Sequence, residues 1–160
     1  MKNQQIITHI TEYESYNELN ELEQGLVIHA IDAAKKAYAP YSDFKVGAAI
    51  LLENGEIITG NNQENAAYPS GLCAERIAMF YANAKYPNVA VKVVTVTVVK
   101  NGEVLAEPAP PCGSCRQVML ESEVRFGQPI KIYMAGQHRV LSVDSAKSLL
   151  PITFDKDYLK

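Results

Sequence analysis

Cys73-Ala74-Glu75-Arg76 is one of two segments that together contain every cysteine of this 160-residue chain, and the other is Pro111-Cys112-Gly113-Ser114-Cys115-Arg116-Gln117. Three thiolates can bind one Zn²⁺ and leave its fourth tetrahedral position open, which is the arrangement of a catalytic zinc site. Glu75 is not needed as a ligand, so it is free to move protons on a zinc-bound water. The two segments therefore predict a zinc hydrolase.

Two other interpretations of the cysteines remain open from the residues alone. Cys112 and Cys115 have the C-x-x-C spacing of a thioredoxin-type redox motif, and only the third cysteine with its neighbouring glutamate favours zinc. A purely structural zinc site needs a fourth ligand. The histidines have no ligand spacing to a cysteine, which disfavours that site; they are His9, His29 and His138.

The composition is that of a globular protein with a small-molecule partner. Apolar residues make up 48% of the chain and charged residues 21%, and the net charge is −3 without the basic stripe of a polynucleotide binder. There is no signal-like apolar start and no apolar run of about 18 residues. We therefore expect one domain over residues 1–160, a cytoplasmic location, and no membrane or nucleic-acid partner.

Helical and β-type patterns alternate along the chain. Residues 1–17 form an N-terminal extension whose segment 6–13 is rich in β-formers, and a helix follows a cap at Asn17 or Asn20. Each cysteine segment also opens a helix. Five further segments read as strands, at residues 44–52, 57–59, 91–99, 130–134 and 140–143. This order predicts an α/β fold, a three-layer α/β/α sandwich around a mixed sheet of about five strands.

Two Asn-Gly pairs are turn signals. Asn54-Gly55 separates the first two expected strands and predicts a type I′ hairpin turn. Asn101-Gly102 follows the third expected strand and marks another turn. Residues 107–111, Glu-Pro-Ala-Pro-Pro, then form a rigid loop that leads into Cys112.

The expected helix starts bear on the charge of the zinc site. Three thiolates on one Zn²⁺ give a net charge of −1, which makes the metal a weaker Lewis acid than one held by three histidines. Two helix N-termini directed at the sulfurs offset this charge. Arg76 and Arg116 lie in the first turns of these helices, and we expect both to donate hydrogen bonds to the thiolates.

Four blocks of the sequence resemble the cytidine deaminases, specifically their small three-cysteine class. The blocks are Phe-Lys-Val-Gly-Ala-Ala at 44–49, Asn-Gln-Glu-Asn-Ala-Ala-Tyr at 62–68, Cys-Ala-Glu-Arg at 73–76 and Pro-Cys-Gly-Ser-Cys-Arg-Gln-Val at 111–118. The resemblance implies the fold of that family. It also implies one Zn²⁺ per subunit, held by Cys73, Cys112 and Cys115, with Glu75 as the proton shuttle.

The same resemblance implies a substrate and an assembly. Asn62 and Glu64 would bind the ribose 3′-hydroxyl of a nucleoside, Phe44 would stack near the base, and Ala74 would also belong to the substrate-binding set. Phe154 matches a residue that reaches the site of a neighbouring subunit. The resemblance therefore implies a homotetramer whose sites are completed by neighbouring subunits.

The implied reaction is the hydrolytic deamination of cytidine and 2′-deoxycytidine to uridine and 2′-deoxyuridine plus ammonia, a step of pyrimidine salvage. A zinc-activated water attacks C4 of the base, and Glu75 carries protons to N3 and to the departing ammonia. Pro110 and Ser114 stand where the family usually has Ser and Ala, which bears on base contacts rather than on the chemistry. The alternatives are a deaminase of another aminopyrimidine such as blasticidin S, and a polynucleotide-editing deaminase, which the acidic balance disfavours.

Overall fold

The computed structural model describes residues 1–159, which contain seven β-strands and three α-helices. The strands are β1 (Thr11–Tyr13), β2 (Lys45–Leu52), β3 (Ile57–Asn61), β4 (Val91–Lys100), β5 (Glu103–Val104), β6 (Lys131–Ala135) and β7 (Val140–Val143). The helices are α1 (Glu21–Lys35), α2 (Ala74–Lys85) and α3 (Gly113–Phe126). Over this described part of the chain, no helix is both long enough and apolar enough to cross a membrane.

The strands form one mixed sheet in the order β1-β7-β6-β4-β2-β3, with β5 paired to the end of β4. The β4–β6 pair is parallel, and the other pairs are antiparallel. The five strands expected from the sequence are confirmed as β2, β3, β4, β6 and β7. The two additional strands are short. Strand β1 lies near the end of the N-terminal extension, and β5 forms a hairpin with the end of β4.

Helices cover both faces of the sheet, which confirms the predicted three-layer sandwich. On the α1 face, a Cβ added to Gly47 of β2 would lie 1.9 Å from the carbonyl oxygen of Ala30. On the α2 face, a Cβ added to Gly60 of β3 would lie 2.5 Å from the carbonyl oxygen of Ala74. The two faces are opposite because Gly60 pairs with Ala48, the residue after Gly47. Helix α3 shares a buried cluster with α2 and lies on the same side.

The two Asn-Gly turns have different conformations. Asn101 and Gly102 both have positive φ angles, 53° and 83°, as a type I′ turn requires. Between β2 and β3 only Gly55 has a positive φ, 86°, so the predicted type I′ turn is wrong there. The reason is loop length, since four residues separate these strands and the turn closes with a hydrogen bond from Gly55 N to Leu52 O at 3.0 Å.

The N-terminal extension is joined to the sheet. Strand β1 pairs antiparallel with β7, and the ring of Tyr13 packs 6.3 Å from the ring of Tyr133. Arg139 donates hydrogen bonds to the carboxylates of Glu12 and Glu107, so it links the extension to the proline-rich loop. The β-rich pattern of the extension therefore produces a strand only in its last part.

A buried carboxylate near the end of α3 ties three elements together. Glu123 is 8% exposed, and its two oxygens accept hydrogen bonds from the backbone N–H groups of Ile130, Ala146 and Lys147 and from the hydroxyl of Ser145. The carboxylate thus joins α3 to the start of β6 and to the 3-10 helix after β7. The sequence pattern gave no sign of this role, because all four donors are distant or lie in loops.

Replacing Glu123 with Gln is expected to lower the free energy of unfolding by roughly 2–4 kcal/mol, because an amide NH₂ then faces buried donors and the charge-assisted hydrogen bonds are lost. Urea denaturation of the two proteins measures this difference. Glu121→Gln is the matched control, since Glu121 is exposed on the same helix. Equal stability of the Glu123 and Glu121 variants would contradict the role given to this carboxylate.

Candidate metal centre and substrate cavity

The starts of α2 and α3 bring the three cysteines together. Cys73 is the N-cap residue of α2, Cys112 is the N-cap residue of α3, and Cys115 lies in the first turn of α3. This confirms the prediction that both cysteine segments open helices. The close packing of Ala74 on Gly60 holds the start of α2 against the sheet, because only a glycine leaves room for that carbonyl.

The sulfur geometry fits one tetrahedral metal ion. The Sγ atoms of Cys73 and Cys112 are 3.7 Å apart, those of Cys112 and Cys115 are 3.5 Å apart, and all three lie within 4.8 Å of one another. A tetrahedral zinc site with Zn–S bonds of about 2.3 Å places its sulfurs about 3.8 Å apart. In residues 1–159 no His, Asp or Glu joins this cluster. The donor set therefore suits zinc with one position left for water.

The surroundings of the sulfurs favour thiolate at Cys73. Its pKa is lowered to about 5, chiefly because the thiol of Cys115 shares a hydrogen bond with it, and burial opposes this effect. Arg76 adds to the lowering, since its Nη2 atom lies 3.6 Å from Cys73 Sγ. The pKa of Cys115 is raised by the same shared hydrogen bond and by burial. These opposite shifts favour negative charge on Cys73 and a proton on Cys115.

Glu75 is placed to exchange protons beside this cluster. Its side chain is 4% exposed, it lines the adjoining cavity, and it is not a member of the cysteine cluster. Burial raises the pKa of Glu75, and the negative charge of Cys73 raises it further. A carboxyl group with a raised pKa takes up a proton more readily near neutral pH, which is the property of a general acid/base.

The two arginines behave differently from each other. Arg76 contacts a thiolate as predicted, but Arg116 does not. Its Nε donates to the carbonyl oxygen of Pro111 at 2.7 Å and its Nη1 to that of Leu149 at 3.1 Å. Arg116 therefore fixes the end of the proline-rich loop next to Cys112, and its contribution to the centre is positional.

A cavity of about 400 Å³ opens beside the cysteines. Its walls carry apolar side chains from β2 and β4, together with polar groups from the loop that follows β3. This volume and mixture are typical of a site for a small organic ligand. Seven residues predicted from the sequence line the cavity: Phe44, Asn62, Glu64, Cys73, Glu75, Arg76 and Cys112.

Asn62 and Glu64 are held in place by the segment that leads into β2. Asn62 accepts a hydrogen bond from Val46 N at 2.7 Å and donates one to Phe44 O at 2.9 Å. Glu64 accepts from the hydroxyl of Ser42 and from the backbone N–H of Tyr41. These two bonds, with Ser42 first, lower the pKa of Glu64. Glu64 therefore presents a carboxylate to the cavity.

Two of the residues predicted to bind substrate lie away from the cavity of their own chain. Ala74 is fully buried against Gly60, and Phe154 is 57% exposed and stacks on Tyr158 with ring centroids 5.7 Å apart. Neither lines the cavity. Conversely, the sequence interpretation did not include Ser42 among the site residues. Its position two residues before Phe44 was the available signal, since serine commonly bonds to the backbone N–H two residues on.

The fold and the centre together define an α/β zinc enzyme with three clustered cysteines that could hold the metal beside a buried carboxylate. The chain belongs to the cytidine and deoxycytidylate deaminase family. Residues 20–127 match the family described as "Cytidine and deoxycytidylate deaminase zinc-binding region". Its cofactor is zinc, and zinc-dependent deamination is the general reaction of this family.

Individual relatives agree with this assignment. The chain is 40% identical over 133 residues to a cytidine deaminase of Halalkalibacterium halodurans, which covers 82% of this chain and 92% of that one. It is 36% identical over 136 residues to a cytidine deaminase of Sporosarcina psychrophila, with 85% and 93% covered. The solved structure of cytidine deaminase from Burkholderia pseudomallei superposes with a TM-score of 0.69 at 38% identity, covering 82% of this chain and 98% of that chain.

Proposed function

We propose that this enzyme hydrolyses the exocyclic amine of cytidine and 2′-deoxycytidine, which yields uridine or 2′-deoxyuridine and ammonia. The observation that carries the proposal is the buried carboxylate of Glu75, which lines the same cavity as Cys73 and Cys112. The relatives named above support cytidine as the substrate. A place in pyrimidine salvage follows from these substrates and products, and the cytoplasmic location stays a prediction.

The proposed mechanism assigns the proton transfers to Glu75. Cys73, Cys112 and Cys115 would hold the zinc ion, which when bound supplies Lewis-acid activation of a water molecule. The Glu75 carboxylate accepts the proton of that water and delivers it to N3 of the cytosine ring. It then takes the proton of the hydroxyl group that the water oxygen has formed on C4 and passes it to the amine, so that C4 becomes a carbonyl, the C4–N bond breaks and ammonia leaves. The raised pKa of Glu75 favours the first of these transfers, because the carboxylate is a stronger base than an ordinary glutamate.

The remaining cavity residues support a nucleoside as the substrate. The Glu64 carboxylate is suited to accept a hydrogen bond from a ribose hydroxyl, and the second N–H of the Asn62 amide is suited to donate one. The Phe44 ring lines the cavity, where it would pack against the base. Among the lining residues the one cation is Arg76, which is already bonded to Cys73. A 5′-phosphate would therefore lack a positive partner.

We also infer a homotetramer in which Phe154 reaches the cavity of a neighbouring subunit. The support is the position of the ring, which is exposed and remote from the cavity of its own chain. Ile152, Tyr158 and Leu159 are also more than half exposed, and such an apolar tail is suited to burial against another subunit.

Glu75→Gln is expected to retain about one zinc per chain and to lose activity on the order of 10³-fold, because the amide cannot shuttle protons while the thiolates are unchanged. The measurements are zinc content by elemental analysis and cytidine turnover by absorbance. Glu121→Gln is again the matched control and should match the unmodified enzyme. Substantial turnover by the zinc-loaded Glu75 variant would refute the proposed mechanism.

A substrate panel separates the proposed function from its alternatives. We expect kcat/KM for cytidine and 2′-deoxycytidine to exceed that for dCMP at least about tenfold, because the phosphate dianion would find no free cation among the residues that line the cavity. Blasticidin S and single-stranded nucleic acid complete the panel. Preferred turnover of dCMP, blasticidin S or the nucleic acid would replace the proposal with the corresponding alternative.

Sedimentation and subunit mixing test the tetramer. Analytical ultracentrifugation should give a mass of four chains of 17.6 kDa. Co-expressed Glu75→Gln and Phe154→Ala subunits should regain part of the activity that each lacks alone, because a Glu75→Gln subunit can lend its Phe154 to a neighbour with intact Glu75. A monomeric mass, or no gain of activity in the mixture, would contradict the shared site.

A further inference from the structure

The loop between α1 and β2, beside the cavity, contains a residue with a left-handed backbone conformation. Asp43 has a φ of 52°, one of two positive values among the non-glycine residues of the described chain. This conformation is held by hydrogen bonds from Asp43 N to Ala39 O and from Asn101 N to the Asp43 carboxylate. A left-handed residue other than glycine carries a conformational cost, so the surrounding contacts must favour the loop.

This loop places the hydroxyl of Ser42 between two residues that line the cavity, Phe44 and Glu64. Ser42 Oγ donates a hydrogen bond to Glu64 Oε1 at 2.5 Å and accepts one from Phe44 N at 3.0 Å. The other oxygen of Glu64 accepts from Tyr41 N at 2.9 Å. Both oxygens of this carboxylate are therefore oriented by the loop that presents the Phe44 ring.

The other end of Phe44 is fixed by the second polar residue of the cavity. Asn62 accepts from Val46 N and receives no bond from Ser42, while its amide donates to Phe44 O. The backbone of Phe44 is thus held at its N–H by Ser42 and at its carbonyl by Asn62. Over residues 1–159, Ser42 is the one side chain that hydrogen-bonds both to Glu64 and to the main chain of Phe44.

We propose that Ser42 is a positioning residue that couples the ribose-binding carboxylate of Glu64 to the base-contacting segment at Phe44. The inference rests on the proposed function, because it takes Glu64 as the partner of the ribose 3′-hydroxyl. Ser42 fixes the orientation of the Glu64 carboxylate. The remaining lone pairs of that carboxylate stay available to the substrate. Ligand binding to a pre-oriented carboxylate avoids the cost of ordering that side chain.

The test compares cytidine with 3′-deoxycytidine, which lacks the hydroxyl that Glu64 would bind. The preference is the ratio of kcat/KM for cytidine to kcat/KM for 3′-deoxycytidine. We expect this ratio to fall about fivefold in Ser42→Ala. Most of the change should lie in KM for cytidine, since substrate binding rather than the chemical step is affected. Ser42→Thr keeps a hydroxyl and should retain most of the preference.

Three further variants make the result decisive. Ser70→Ala is the matched control, because Ser70 is exposed in the neighbouring loop and does not line the cavity. Glu64→Gln should lower the preference on its own, and adding Ser42→Ala to it should change the ratio less than twofold. Zinc content and thermal unfolding of each variant establish that it is folded.

The outcomes separate failure of this inference from failure of the proposed function. If Glu64→Gln leaves the preference unchanged, Glu64 does not bind the ribose and the proposed substrate contact fails. If Glu64→Gln lowers the preference but Ser42→Ala reduces turnover of both substrates equally, Ser42 merely stabilises the loop. A Ser42→Ala enzyme with an unchanged preference for cytidine over 3′-deoxycytidine would also overturn the positioning role.

Discussion

The structure depends on the convergence of three sulfur atoms on one point at the starts of two helices. Three thiolates held this close would repel one another, and the guanidinium of Arg76 and the helix N-termini would offset only part of that charge. A divalent cation completes the balance, so metal binding and the local fold stabilise each other. The same helix start places Glu75 beside the metal position, which links the centre of the fold directly to the chemistry.

Much of the fold could be predicted because most strand segments are rich in β-branched or other apolar residues and are bounded by turn signals in the sequence. The five core strands followed from such patterns, and both cysteine-bearing helices followed from helical spacing. Of the two expected caps for the first helix, Asn17 and Asn20, the structure has Asn20. What the sequence could not indicate was the role of Gly47 and Gly60, because a glycine inside a strand reads only as a weak strand former. Their requirement arises from helix backbones that lie directly on the sheet. The turn type predicted between β2 and β3 was wrong, because the loop between these strands has four residues and not two.

The candidate site was predictable to the extent that its residues share local spacing. Cys112 and Cys115 are three residues apart on one helix, and Cys73 and Glu75 flank the start of another, so each pair has a defined geometry. The partners of Arg116 were not predictable, since Leu149 lies 33 residues away and meets it only through the tertiary fold. Ser42 was missed for a related reason, because its bond to Glu64 spans 22 residues.

The proposed chemistry requires three thiolates that hold one zinc ion and leave one position for a light atom. Zinc K-edge X-ray absorption of the purified protein tests this most directly. We expect one zinc per chain with three sulfur neighbours at about 2.3 Å and one oxygen or nitrogen neighbour. A protein without stoichiometric zinc, or a spectrum with four sulfur or histidine ligands, would contradict it.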